Sequence, residues 1–302
     1  MKLTAYEVVI VGAGPAGLTA GLYTSRAGLK SLLVERGIPG GQILNAALVE
    51  NYPGFPKGVS GTELASLMHQ QAVGYGLEVA TAEVTGLSQT APYRVFTTEG
   101  SFEAASIVIA AGSQYRKLEV TGEERLTGHG VSYCATCDGF FFRDREVAVV
   151  GGSDTALTDA LELSRHARKV YVIHRRDQLR AGRVLQQQAF AQPGLEFVWN
   201  TVVEEIVGEN MVEGLKLRNV KTDELAMLNL AGVFIAVGIS PNSQCFSNVV
   251  QVDSAGYIPT DETMATSAPG IFAAGDIRRN SARQVTTAVG DGAAAATSAF
   301  RY

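Results

Sequence analysis

The residue types best suited to chemistry are two cysteines spaced as Cys134-Ala-Thr-Cys137. In a reducing compartment such a pair is catalytic or metal-binding rather than a structural staple. A structural zinc site needs four ligands, usually from two such pairs. The remaining cysteine, Cys245, and the four histidines form no second paired spacing. The ligand count therefore favours a redox dithiol and no metal. We expect Cys245 to be a packed or partly exposed thiol without a role.

A redox dithiol needs two sulfurs close enough to bond and one thiol of lowered pKa. Asp138 stands directly after the second cysteine. Its carboxyl group could move a proton during reduction, or it could cap a turn, and the sequence leaves both interpretations open.

A glycine motif near the N-terminus predicts a dinucleotide site. Gly12-Ala-Gly14-Pro-Ala-Gly17 is a full G-x-G-x-x-G and follows the apolar run Glu7–Val11. The glycines permit the turn, the approach of the backbone to a pyrophosphate and tight helix–strand packing. Glu35 ends a second predicted strand, 23 residues after Gly12, where an acid binds a ribose hydroxyl. A glycine turn in an unrelated α/β sheet is the alternative that this context disfavours.

A second motif, Gly151-Gly-Ser-Asp-Thr-Ala156, follows the apolar strand Glu146–Val150. Ser153 replaces the second glycine, so its side chain could crowd a pyrophosphate or donate its hydroxyl to it. His174-Arg175-Arg176 stands where the ribose acid is expected. Because arginine pairs bidentately with phosphate, we expect NADP rather than NAD. Arg180 could join the same face if a helix starts there; the alternative is a solvated basic helix start.

Two nucleotide sites and one dithiol together suggest an electron relay. A hydride would come from a nicotinamide, pass through a flavin and leave as a dithiol. The flavin is expected because hydride donors reduce disulfides poorly without a mediator.

The elements that position these residues form a unit that occurs twice. The strand Ile107–Gly112 follows the first glycine motif, and Val233–Gly238 follows the second. A third strand, Gly270–Asp276, and the alanine-rich tail Gln284–Tyr302 have no place in the second unit. We therefore predict an α/β fold of two Rossmann-like domains, with the second inserted into the first.

The predicted boundaries are 1–115 for the first part of the outer domain, 116–241 for the inserted domain with the dithiol, and 242–302 for the second part of the outer domain. We expect hinges at Ser113–Lys117 and Gly238–Ser243.

Composition excludes several classes of protein. The 302 residues are 46% apolar and 18% charged, which is ordinary for two globular domains and too apolar for intrinsic disorder. A net charge of −5 without a basic run argues against nucleic-acid binding. No apolar stretch approaches the ~20 residues of a membrane helix, and the N-terminus lacks a signal-peptide layout, so we expect cytoplasmic residence.

The chain resembles the bacterial low-molecular-weight thioredoxin reductases, a flavoprotein family of the pyridine nucleotide–disulfide oxidoreductase class. Other disulfide reductases place their cysteines near the flavin motif, whereas here they lie just before the second motif, as in this family. The matching segments, from Glu7 to Tyr302, are Gly12–Gly17, Gly40–Gln42, Val49–Gly54, Ser132–Phe141, His174–Asp177, Ala274–Asp276 and Arg283-Gln284.

The resemblance implies that residues 1–115 and 242–302 form an FAD-binding domain and that residues 116–241 form an NADPH-binding domain. For FAD it implies contacts from Gly12, Gly14, Pro15, Ala16, Gly17, Glu35, Arg36, Gly41, Gln42, Asn51, Ala111, Gly112, Gly275, Asp276, Arg283, Gln284 and Val285. For NADPH it implies contacts from Gly152, Ser153, Asp154, Thr155, His174, Arg175, Arg176 and Arg180.

The resemblance also implies catalytic roles. Cys137 would be the sulfur on the flavin side, Cys134 the sulfur that exchanges with thioredoxin, and Asp138 the acid–base residue. It further implies a homodimer whose two domains alternate between two orientations.

The sequence departs from the family at Ser153 and at Leu157-Thr-Asp159, where an acidic pair is usual. Some relatives take electrons from ferredoxin or another donor, and they usually lose the arginine pair. Retention of Arg175 and Arg176 therefore favours NADPH over a donor-switched reductase or a flavin dithiol oxidase. A non-catalytic redox sensor is disfavoured by the intact relay.

Overall fold

The computed structural model describes residues 4–46 and 48–302. The chain divides into two compact units: residues up to Gln114 together with Ser240–Tyr302, and Tyr115–Ile239. The second unit is therefore inserted into the first, and the predicted α/β fold class is confirmed.

Both units alternate strands and helices. In chain order the strands are β1 (Ala5–Val11), β2 (Ser31–Glu35), β3 (Glu78–Thr81), β4 (Val84–Leu87), β5 (Tyr93–Thr97), β6 (Gly100–Ile109), β7 (Ser113–Tyr115), β8 (Val131–Ser132), β9 (Glu146–Val150), β10 (Lys169–His174), β11 (Leu195–Trp199), β12 (Thr201–Val207), β13 (Gly214–Asn219), β14 (Leu225–Asn229), β15 (Gly232–Ile235), β16 (Ile239–Pro241) and β17 (Ile271–Ala273). The helices are α1 (Pro15–Arg26), α2 (Gly61–Gly74), α3 (Ala135–Asp138), α4 (Asp154–Leu163), α5 (Arg183–Ala191) and α6 (Val285–Arg301).

The first unit is built on a sheet of order β3-β2-β1-β6-β5-β4, with β17 also paired to β6. Strand β1 runs parallel to β2 and β6, whereas β4 and β5 pair antiparallel. Residues Val8–Val11 are fully buried because apolar clusters cover both faces of the sheet. The pairing of Ile271 with Ile107 shows that the tail returns to the first unit.

The second unit has a parallel sheet of order β11-β10-β9-β15-β8 and a separate antiparallel sheet, β12-β13-β14. Strands β9 and β10 pair from Glu146 with Lys169 to Val150 with Ile173. Their carboxyl ends therefore lie at one edge, where ligands of open α/β sheets bind. The Gly151 loop and the His174–Arg176 segment leave from that edge.

The chain crosses between the units at two short strands, β7 and β16. Both lie in the segments predicted as hinges, and hinge motion there stays a prediction. In the part of the chain that the structure describes, no helix has the length and apolar character needed to cross a membrane.

Candidate active site and nucleotide sites

The two spaced cysteines form a disulfide bond, with their Cα atoms 5.3 Å apart. Strand β8 ends at Ser132, and α3 begins at Ala135, so both sulfurs lie at the start of one helical turn. The Cys137 backbone N–H donates to the Cys134 Sγ at 3.2 Å. Cys137 is exposed and Cys134 is half-buried, so the bond is open to a reaction partner. No group of three potential metal ligands occurs among residues 4–46 and 48–302.

Asp138 is tied to this turn by the Ser132 hydroxyl. Ser132 Oγ donates to Asp138 Oδ2 at 2.6 Å and accepts from the Cys134 N–H at 3.1 Å. Burial raises the pKa of Asp138, and the Ser132 hydrogen bond opposes that effect. The side chain makes no turn-capping hydrogen bond within the described residues. Of the two interpretations, this geometry favours proton transfer.

A buried carboxylate supports the segment that carries Cys134. Glu123 is 2% exposed and accepts hydrogen bonds from the Leu118 N–H, the Glu119 N–H and the Tyr133 hydroxyl. Burial, followed by the Glu123 hydrogen bond, raises the pKa of Tyr133. Since Tyr133 precedes Cys134, Glu123 fixes the chain on the N-terminal side of the disulfide.

Two aromatic side chains beside the disulfide are exposed. Phe140 and Phe141 are 54% and 48% exposed and follow Asp138 after one glycine, Gly139. The Arg143 guanidinium lies over the Phe140 ring, 5.1 Å from its centre. Exposed aromatic rings with a neighbouring arginine are typical of protein-contact surfaces.

Each of the three glycines of the first loop meets a different structural requirement. Gly12 has φ +100°, and a Cβ there would lie 2.5 Å from the Ala110 carbonyl oxygen. A Cβ on Gly17 would lie 1.8 Å from the Gly12 carbonyl oxygen, so this position is needed for packing. At Gly14 a Cβ would meet no protein atom within 4 Å. The space beside Gly14 is therefore open to a ligand.

Other residues predicted for this site surround the loop. Glu35 Oε2 accepts from the Ala13 N–H at 2.7 Å, which holds the carboxylate against the loop. A Cβ on Gly41 would lie 3.0 Å from the Gly14 Cα, and one on Gly275 would lie 2.9 Å from the Ala16 Cβ. Strand and loop segments far apart in sequence therefore meet here.

The remaining predicted residues lie on the same unit and differ in how they are held. Arg283 Nη2 donates to the Tyr257 hydroxyl at 3.2 Å, while its buried Nε has no partner among the described residues. Burial raises the pKa of Asp276, which accepts from the Ser281 hydroxyl. Three of the others lie at helix starts: Pro15 and Ala16 begin α1, and Val285 begins α6. Hydrogen bonds hold the next group: Gln42 donates to the Ser113 carbonyl, Asn51 donates to Gln284, and the Ala111 and Gly112 carbonyls accept from Asn242. Arg36 lies on the surface, 3.9 Å from Glu83.

The second glycine loop is folded over a histidine. A Cβ on Gly152 would lie 2.4 Å from Cε1 of His174, so only glycine fits above this ring. His174 is 5% exposed and its Nε2 lies 3.0 Å from the Gln178 carbonyl oxygen. Burial and the neighbouring arginines lower the pKa of His174, so the ring is neutral at neutral pH.

Loop residues around Gly152 are tied to the chain ahead of α5. Arg180 is not helical, because α5 begins at Arg183; instead its N–H donates to the Gly152 carbonyl at 2.7 Å. Asp154 Oδ1 accepts from the Gly182 N–H at 2.7 Å. Ser153 is the N-cap residue that precedes α4, yet its hydroxyl makes no capping hydrogen bond among the residues described. Thr155 lies exposed in the first turn of α4.

A cavity of about 340 Å³ lies beside this loop, and Arg175, Arg176 and Arg180 line it. All three side chains are exposed. Within the described ranges none of the three guanidinium groups has a carboxylate within 4 Å. The structure thus brings together the predicted cations with their charges uncompensated, which suits a phosphate ligand.

Cys245 lies in the first unit, away from the disulfide in sequence, and is half-buried. Burial raises the pKa of its thiol, which makes the thiol unreactive.

The sequence profile of the pyridine nucleotide-disulphide oxidoreductases matches residues 6–292. The chain belongs to this family. Curated relatives include a thioredoxin reductase of Listeria monocytogenes, 48% identical over 98% of this chain and 93% of the relative, and one of Bacillus subtilis, 46% identical over 98% and 94%. A crystal structure of thioredoxin reductase from Streptococcus pyogenes covers 100% of this chain and 99% of its own, at 44% identity and a TM-score of 0.96.

Membership of the pyridine nucleotide-disulphide oxidoreductases implies FAD and NADPH. The open space at Gly14 fits the pyrophosphate of a dinucleotide at the first loop, and the buried Nε of Arg283, without a partner among the described residues, fits a polar ligand group in the same unit. The Ser153 hydroxyl, which makes no capping hydrogen bond among the described residues, and the arginine cavity fit a second phosphorylated nucleotide.

Three groups near the disulfide were not singled out from the sequence. Ser132 and the Phe140–Phe141 pair lie inside the recognised cysteine segment, but nothing in their types assigns them contacts. Glu123 carries no signal, because a buried acid is indistinguishable from an exposed one in a charged stretch such as Glu123-Glu124-Arg125.

Proposed function

We propose that this protein is a thioredoxin-disulfide reductase that transfers electrons from NADPH through FAD and the Cys134–Cys137 disulfide to oxidised thioredoxin. The observation that carries the proposal is the accessible disulfide together with the half-buried Asp138. The Ser132 hydroxyl links the two by hydrogen bonds with the Cys134 N–H and the Asp138 carboxylate. Relatives over nearly the whole length are named thioredoxin reductases, which supports the same assignment.

We assign FAD to the first glycine loop with Glu35, Gln42, Asn51, Asp276 and Arg283, and NADPH to the second loop with His174, the three arginines and Ser153. When bound, FAD supplies the transfer of an electron pair from a hydride donor to a disulfide. The protein contributes binding, orientation and proton placement around that chemistry.

In its reduced form the dithiol would react by thiol–disulfide exchange. The Cys134 thiolate attacks one thioredoxin sulfur, a mixed disulfide forms, and the other thioredoxin sulfur leaves as a thiolate that takes a proton. Cys137 then attacks Cys134 Sγ, re-forms the intramolecular bond and releases the second thioredoxin thiol. The Cys137 N–H, 3.2 Å from Cys134 Sγ, would stabilise negative charge on that sulfur.

Asp138 would hold or release the proton in this exchange. Its Oδ2 accepts the Ser132 hydroxyl, which leaves Oδ1 as the oxygen that takes the proton. A carboxyl whose pKa is raised by burial is suited to donate a proton nearer to neutral pH than an exposed one. Phe140 and Phe141 would contact thioredoxin beside the Cys134–Cys137 pair.

The assembly and the location belong to the same proposal. We expect a homodimer in the cytoplasm, as for the family that the sequence resembles. Exposed apolar side chains on and just after α2, among them Leu67, Val73 and Tyr75, support a subunit contact on the first unit. Light scattering after gel filtration measures the mass, and a monomer at micromolar concentration would contradict this part.

The proposal is tested by anaerobic reduction of the purified flavoprotein. We expect NADPH to bleach the flavin at much lower concentration than NADH, and thioredoxin with NADPH to be turned over. Cys134→Ser and Cys137→Ser should abolish turnover while flavin stays bound, whereas Cys245→Ser, the matched control, should leave turnover unchanged. Full turnover in either active-site variant would refute the dithiol relay. Failure of both nucleotides to bleach a bound flavin would direct the search to ferredoxin or another donor.

A further inference from the structure

The arginine cavity has a fourth cation that comes from a different sheet. Lys221, in the turn between β13 and β14, lines the same cavity as Arg175, Arg176 and Arg180. The Val220 N–H donates to the Asn200 carbonyl at 2.6 Å, and the Asn200 N–H donates to the Arg176 carbonyl at 3.3 Å. Backbone hydrogen bonds therefore fix this turn against the arginine segment.

The turn also fixes the backbone of Lys221. Asn219 Oδ1 accepts from the N–H groups of Lys221 and Thr222, at 2.9 and 3.2 Å. The direction in which the lysine leaves the turn is thus set by the hairpin.

The lysine side chain ends on a carboxylate at the cavity wall. Lys221 Nζ donates to Asp177 Oδ2 at 2.7 Å, and the two side chains are 59% and 61% exposed. The pairing lowers the pKa of Asp177, which therefore stays ionised. Exposed ion pairs of this kind are weak because water and salt screen them. A phosphate dianion, which pairs more strongly with an ammonium group, can replace Asp177.

We propose that Lys221 is a further specificity-determining residue of the dinucleotide site, whose ammonium binds the same 2′-phosphate as the arginines. Asp177 holds the ammonium at the cavity when no ligand is present and competes with the phosphate for it. On binding, a phosphate oxygen takes the place of Asp177 Oδ2 at Lys221 Nζ. The inference rests on the proposed use of NADPH at this site.

The two members of the pair should then have opposite effects. Loss of the lysine removes an attractive charge from the phosphate. Loss of the carboxylate removes both a competitor for the lysine and a like charge near the ligand. A purely structural ion pair would give effects of the same sign, because either substitution breaks it.

The test is calorimetric binding of adenosine 2′,5′-bisphosphate and of adenosine 5′-monophosphate to the purified flavoprotein. For Lys221→Met we expect about three- to tenfold weaker binding of the bisphosphate and unchanged binding of the monophosphate. For Asp177→Asn we expect tighter binding of the bisphosphate. Lys221→Arg should restore most of the affinity. Lys216→Met, on β13 and paired with Glu205 outside the cavity, is the matched control and should bind as the parent does.

Unchanged bisphosphate affinity in Lys221→Met would overturn the inference, as would equal weakening in Asp177→Asn. If the parent protein bound both probes equally, the NADPH assignment would fail and the inference with it. Discrimination between the two probes that is as large in Lys221→Met as in the parent protein would overturn the inference alone.

Discussion

Replacement of Glu123 by glutamine should destabilise the unit that carries the disulfide. Glu123 Oε1 accepts from the Leu118 N–H at 3.0 Å and from the Tyr133 hydroxyl at 2.7 Å, and Oε2 accepts from the Glu119 N–H at 2.7 Å. A glutamine has one acceptor oxygen, so its amide nitrogen would face one N–H donor at a half-buried contact. The unsatisfied donor should lower the free energy of unfolding by about 1–3 kcal/mol. The two surviving hydrogen bonds would have a neutral acceptor instead of a charged one, which should cost about 0.5 kcal/mol each.

The expected loss in free energy of unfolding is therefore about 2–4 kcal/mol. With a urea dependence of about 2–3 kcal/mol per molar, the unfolding midpoint of this unit should fall by about 1 M. Far-UV circular dichroism of the flavoprotein in urea measures the midpoint, and hydrogen exchange at the Leu118 and Glu119 amides reports the local effect. Glu124→Gln is the matched control, since Glu124 is an exposed neighbour whose ion pair with Lys117 spans 3.9 Å. An unchanged midpoint in Glu123→Gln, or an equal fall in Glu124→Gln, would refute the reasoning.

Three further predictions concern the sites themselves. The Asp138→Asn substitution should remove one limb of the pH–kcat/KM profile. Because the Ser132 hydroxyl lowers the pKa of Asp138, Ser132→Ala should shift that limb to higher pH. A limb that stays in place or shifts to lower pH would contradict this. Gly14→Ala should fold normally and bind FAD at least tenfold more weakly, whereas Gly17→Ala should lower the melting temperature even without flavin; flavin content and thermal unfolding measure both, and equal melting temperatures would exclude the packing argument. Ser153→Ala should raise the KM for NADPH about two- to tenfold through loss of one phosphate hydrogen bond; a lowered KM would show instead that the serine crowds the pyrophosphate.

The sequence predicted those features that local pattern determines. Buried parallel strands appear as apolar runs, and β1 and β9 were recognisable because each ends in a glycine turn. The alanine-rich tail was recognisable as α6, and its return to the first unit followed from the absence of a repeat partner. The paired spacing of the two cysteines, with no second pair of ligands for a metal, predicted a redox dithiol, and the two sulfurs are bonded in the structure.

Long-range contacts could not be predicted in this way. Arg180 was expected to join the arginine face if a helix started there, but no helix does. Its N–H donates to the Gly152 carbonyl, which holds it in a loop, and α5 begins only at Arg183. The placement of Lys221 at the arginine cavity depends on a hairpin from another sheet, a tertiary contact with no trace in the local sequence. The bonds of Ser132 to both Cys134 and Asp138 depend on side-chain rotamers, which residue type does not reveal.

At the end of β10, different residues support the loop and select the ligand: His174 is buried under Gly152, whereas the arginines that follow it are exposed. The histidine is wedged beneath the loop and cannot be enlarged or moved without a clash, whereas the neighbouring arginines project into solvent and carry no packing. Exposed positions of this kind tolerate substitution with little effect on folding. The preference for one nicotinamide coenzyme over the other can therefore change, in evolution or by design, through substitution of the exposed arginines while the packing of His174 against Gly152 stays the same.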